Sequence, residues 1–131
     1  MKGLVLVSIG WQSTREEVQK FLMEIARILK DEDKLYIVGR DKTNSFRAKY
    51  NLLRADVKQI ILSLDETNYS YTDNDRELAH GGQVWIFGSS FPPGLVEGTF
   101  QIYIKLKIQG EVICLSLHEA EFYLKYPYLN C

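Results

Sequence analysis

The chain has 131 residues, 46% of them hydrophobic and 25% charged, which is enough apolar material for one ordinary core. A formal net charge of −1 shows no global basic excess of the kind that draws a protein to nucleic acid. No apolar run approaches the roughly 20 residues that span a bilayer. Two cysteines, Cys114 and Cys131, lack metal-ligand spacing and read as reduced thiols of a cytoplasmic protein.

No repeat, low-complexity run or linker interrupts residues 1–131, so one domain is expected. The opening "MKGLVLVSIGW" has no small-residue cleavage site behind its apolar run, and residues 1–12 read as an extension or first strand rather than a signal peptide. "STREEVQKFLMEIARILK" begins with Ser13 and Glu16 at capping-box spacing. Val18, Phe21, Leu22, Ile25, Ile28 and Leu29 then mark one stripe of an amphipathic helix. "KLYIVG" reads as a short strand, "SFRAKYNLL" as a helical piece, and "ADVKQIILSL" as a helix with Val57, Ile60, Ile61 and Leu64 inward. Six cations lie between Arg40 and Lys58, either a solvated helix surface or a phosphate-binding face.

Beyond Leu64 the character changes. "DETNYSYTDNDRELAHGG" reads as a long polar loop, "QVWIF" as a strand, "GSSFPPGLVEG" as a connection, and "GTFQIYIKLKIQGEVICLSLHEAEF" as a hairpin followed by an extended tail, residues 119–131. Helices first and an antiparallel sheet second predict an α+β fold with the helices on one sheet face.

A two-residue turn at Gln109-Gly110 pairs Ile108 with Glu111 and sets Tyr103 opposite Ser116. Ile102, Ile104, Leu106, Ile113, Leu115 and Leu117 then face the helices. Gln101, Tyr103, Lys105, Lys107, Cys114, Ser116 and His118 share the opposite face, with Tyr103 and His118 diagonal neighbours at roughly 7–8 Å. A solvated sheet face normally reads polar. This one gathers an imidazole, a phenol and two ammonium groups, which suits metal-free RNA cleavage by the 2′-hydroxyl. His118 is then a general acid or base, Tyr103 a proton-transfer or orienting group, and Lys105 a phosphate clamp. If Val84 and Ile86 face the helices, Trp85 joins Gln83 on the polar side, where it could stack a base; burial in the core is its other fate. Gln101, Lys107, Arg76 and His80 are further candidates for substrate contact. His80 and His118 lack partners at metal spacing, and no phosphate-cradling glycine loop occurs, so neither metal nor cofactor is expected.

"ADVKQIILSLDETNY", "GGQVWIFG" and "IYIKLKIQGEVICLSLHEAEFYLKYPY" together resemble the MqsR-family toxins of bacterial type II toxin–antitoxin systems, over about Leu53 to Tyr128. The resemblance implies a RelE-like fold and a small ribonuclease that cuts mRNA without metal. It also implies a cognate antitoxin as partner in a toxin–antitoxin hetero-oligomer. Tyr103 and Lys105 match the family's Tyr-aliphatic-Lys strand, and His118 stands where the last strand supplies a basic residue. Ser70 stands where some members carry lysine. The same sequence also suits a non-catalytic protein-interaction module or a small-ligand-binding domain of the same fold.

Overall fold

The structure is a computed structural model that describes residues 10–76, 81–91 and 100–130. Its first helix, α1 (Arg15–Arg27), is capped one residue later than the sequence suggests: Thr14 accepts from the Glu17 amide, and Glu17 accepts from the Thr14 amide. Ser13 is instead buried, its hydroxyl 2.7 Å from that of Thr72. Val18, Phe21 and Ile25 point inward from α1, and a wider turn over Ile28–Glu32 continues the stripe through Ile28 and Leu29. It ends at Asp33, whose positive φ of 52° reverses the chain toward β1 (Leu35–Ile37). Two nine-residue helices follow, α2 (Asp41–Lys49) and α3 (Arg54–Leu62), the latter burying Val57 and Ile61.

The segment read as a polar loop contains a strand. A single 3-10 turn (Glu66–Asn68) leads into β2 (Tyr69–Asn74), which pairs antiparallel with β3 (Gln83–Phe91) and bulges between Tyr69 and Tyr71. Its polar letters hide it, because Thr72 is fully buried against hydroxyl partners rather than solvated. The hairpin strands are β4 (Phe100–Ile108) and β5 (Val112–Glu119).

The five strands form one sheet in the order β1-β5-β4-β3-β2. The architecture is α+β as expected, but the sheet is mixed: β1, from the helical half of the chain, joins its edge parallel to β5. The main core lies between the helices and one sheet face, with Phe87, Ile102, Ile104, Leu106, Val112, Cys114 and Leu117 from the strands.

The opposite face is only partly polar, for a reason of register. Three residues, not two, separate Ile108 from its partner Val112, and Gly110 takes φ 75° between them. The added residue reverses the parity of β5, turning Cys114 into the main core and Ile113 and Leu115 to the other face. A bulge beside Lys105/Leu106 then restores the parity, pairing Lys105 with Ser116 and Tyr103 with His118. Val84, Ile86, Ile113 and Leu115 collect there into a second apolar cluster, covered by Leu124 of the C-terminal segment.

That segment is anchored rather than loose. The Tyr126 hydroxyl donates to Gln101 Oε1, and Tyr128 stacks on Tyr69 while its hydroxyl donates to the Ser13 carbonyl. Gly88 permits the crossing, because a methyl group there would collide with the Tyr126 hydroxyl.

Candidate active site at the end of the hairpin

β1 is three residues long, so beyond Cys114 the outer edge of β5 has no neighbouring strand. Thr43, buried near the start of α2, takes over: its Oγ1 accepts from the Leu117 amide at 3.1 Å. A sheet edge is otherwise left with unpaired backbone groups. With Phe46 of α2 packed in the core against Phe91 and Phe100, this bond holds the start of α2, with Arg40 and Lys42, alongside His118.

The result is a cleft of about 350 Å³ lined by Arg40, Asp41, Lys42, Thr43, Tyr103, Ser116, His118, Glu121 and Phe122. Tyr103 and His118 are directly opposed across the ladder rather than diagonal, with rings stacked at 5.3 Å and 17° between planes. Phe122 closes edge-on over Tyr103 at 5.9 Å. His118 Nδ1 lies 2.9 Å from the Glu119 carbonyl. A carbonyl only accepts, so Nδ1 carries the hydrogen and Nε2 is the nitrogen left for proton transfer. Tyr103 also hydrogen-bonds Tyr71, whose hydroxyl is raised above the ordinary phenol range by burial, the bond to Tyr103 opposing that rise. At the rim, Lys42 pairs with Glu121 at 2.6 Å, and its hydrogen bond holds that carboxyl below the usual carboxylate range.

The expected residues thus divide. Tyr103 and His118 come together. Lys105 stays on their face, half-buried opposite Ser116, but does not line this cleft. Gln101 is exposed and bound to Ser90 and Tyr126, and Gln83 is exposed at the start of β3. Arg76 pairs with Asp73 at 3.1 Å, and His80 lies outside the described residues, as do the connection at 92–99 and the first nine residues.

Two expected substrate contacts are corrected. Trp85 faces the helices, its ring stacked on Phe21 at 4.4 Å, because Val84 and Ile86 take the other face. Lys107 is 3% exposed, its ammonium 2.7 Å from Asp75 and also bonded to the Gly81 carbonyl, and so is held inside the fold.

Sequence reasoning missed Arg40, Lys42 and Tyr71 as neighbours of the pair. The basic run beginning at Arg40 was the available signal for the first two; none pointed to the third, because the bulge between Tyr69 and Tyr71 turns them to opposite faces. Among the described residues no three His, Cys, Asp or Glu side chains gather in a metal-binding arrangement, and no helix is long and apolar enough to cross a membrane. No family model, curated protein or solved structure matches this chain.

Proposed function

We propose that the chain is an endoribonuclease that cuts mRNA without a metal ion. In this reading it is the toxin of a type II toxin–antitoxin pair, with a RelE-like fold and a cognate antitoxin as partner. The observation that carries the reading is the stacked Tyr103–His118 pair in a cleft shared with Arg40 and Lys42. The resemblance of the hairpin to the MqsR family supports it from the sequence side.

In the reaction, His118 Nε2 takes the proton of the 2′-hydroxyl as its oxygen forms a bond to the adjacent phosphorus. The bond from phosphorus to the 5′-oxygen breaks, and Tyr103 supplies the proton that the leaving oxygen needs. Arg40 and Lys42 stabilise the charge on the non-bridging oxygens, the role first assigned to Lys105. The Lys42–Glu121 pair is exposed, and water and salt weaken such pairs, so a phosphate can displace the carboxylate. The products are a 2′,3′-cyclic phosphate and a 5′-hydroxyl.

The test is cleavage of a long single-stranded RNA in EDTA by the wild-type protein and by His118→Ala, matched for folding by circular dichroism. Discrete cuts that fall by about 10²–10⁴-fold in the variant are expected, the range proton transfer contributes. Equal cutting by both proteins would remove His118 from the mechanism. Absence of cutting by either, with ribosomes present or absent, would favour a protein-interaction module.

A further inference from the structure

Beside the cleft, and sharing Tyr103 and Phe122 with it, lies a larger groove of about 930 Å³. Six of its twelve lining residues are aromatic: Trp11, Tyr71, Tyr103, Phe122, Tyr123 and Tyr126. Three of these rings are well exposed, Trp11 at 40%, Phe122 at 56% and Tyr123 at 88%. Large rings exposed together in one concavity are unusual in a folded chain and mark a binding surface.

The chemistry of the lining narrows the occupant. Leu124 and Pro127 are its aliphatic members, far fewer than a groove built for an amphipathic helix would need. Among the described residues the lining holds no acidic side chain, and Lys125 is its one charged group. Flat apolar faces beside a cation and without an anion suit stacked bases on a polyanion.

The platform is also held in place before any ligand arrives. Trp11 is fixed through its backbone, which exchanges two 2.8 Å hydrogen bonds with Thr72. Gly10 allows this approach: its φ is 78°, and a methyl group there would strike the Thr72 carbonyl. The other wall is the C-terminal segment, pinned at Leu124, Tyr126 and Tyr128.

From this we infer that the aromatic groove is a nucleobase-binding subsite, in which nucleotides flanking the scissile phosphate of a single-stranded RNA stack on Trp11 and Tyr123. The inference rests on the nuclease reading for its substrate, but it concerns binding and is testable without catalysis. Stacking selects unpaired strands and tolerates any base, so the groove confers preference for single strands rather than for a sequence.

The probe is a fluorescently labelled eight-nucleotide RNA with 2′-O-methyl groups throughout, which cannot be cut, followed by anisotropy. Trp11→Ala and Tyr123→Ala should each weaken binding by about 5- to 150-fold, the range that loss of one stacked base represents. Both side chains are exposed and the Trp11 anchor is backbone, so the variants should fold. An abasic oligomer of equal charge should bind more weakly and ignore both substitutions. The salt dependence should be unchanged, because no phosphate contact is removed. The probe cannot be cut, so a wild-type chain that binds it but never cuts RNA would sink the nuclease reading and leave the groove standing. A chain that cuts RNA, yet binds the probe equally well in both stacking variants, would overturn the groove alone. The inference also fails if either substitution instead turns a dimer into a monomer, since the groove would then be filled by a second copy of the chain.

Discussion

At the residue scale, the hairpin's cations have separate fates that their alternation does not distinguish. Lys107 occupies a sheet-face position like Lys105, yet it is buried against Asp75, whose side chain is 2% exposed. Removing one member of such a pair strands the other charge out of water. Lys107→Ala should therefore cost about 3–5 kcal/mol in urea unfolding, with RNA cleavage per folded molecule unchanged. Unfolding like wild type would contradict the burial, and lost cleavage at full folding would return Lys107 to the site. Cys114 makes a second case, moved by the three-residue turn from the expected polar face into the core. Burial is the main cause that pushes its thiol up to about 12, so the reactive thiolate is scarce at any lower pH. In a Cys131→Ser background, a thiol reagent at pH 8 should leave native protein unlabelled and label it fully in denaturant. Rapid native labelling would place Cys114 at the surface.

At the element scale, periodic helices and strands were legible and their registers were not. The stripe of α1 and the inward faces of α3 follow from spacing, since one side of each must leave water. The face of β5 could not be read, because Ile113, Cys114 and Leu115 are all apolar and each parity looks acceptable. Only the turn length and the bulge decide, and neither has a distinct letter signature in "KIQGEVICLS". β2 was lost for the opposite reason, its buried hydroxyls looking like a loop. The place of α2 beside β5 was likewise hidden, since it rests on contacts distant in sequence: Phe46 against Phe91 and Phe100, and the Leu117 amide bonded to Thr43 across 74 positions of chain. The C-terminal segment offers a direct test of its packing. Gly88→Ala should push Leu124 and Tyr126 off the sheet, cost about 1–3 kcal/mol and expose the segment to limited proteolysis. Adding Tyr126→Ala should recover part of that loss. A single variant as stable and protease-resistant as wild type would contradict the contact.

At the scale of the whole molecule, the two sheet faces are covered differently. The helices close one face with a continuous core, against which Trp85 packs. On that second face Leu124 covers an apolar patch, and the Tyr103–His118 cleft lies where the segment leaves β5. The basic run from Arg40 to Lys58, ambiguous in the sequence, is split by the fold. Arg54 and Lys58 both pair with Asp33, whose carboxyl they hold below its usual range, Lys58 first. Arg40 and Lys42 are the members that reach the cleft. Asp41 and Glu121 line it as well, so the cleft sets two cations beside two carboxylates and is, like the whole chain, near neutral in formal charge.

The central claim is that the cleft uses the RNA's own 2′-hydroxyl as nucleophile. The most direct measurement takes an RNA with one mapped cut and replaces the single ribose before the cut by 2′-deoxyribose. Cleavage there should vanish in EDTA, while the unmodified RNA gives a 2′,3′-cyclic phosphate and a 5′-hydroxyl. Undiminished cutting at the deoxyribose, or a 5′-phosphate on the downstream product, would mean that water or another group attacks phosphorus, and would contradict the roles given to His118 and Tyr103.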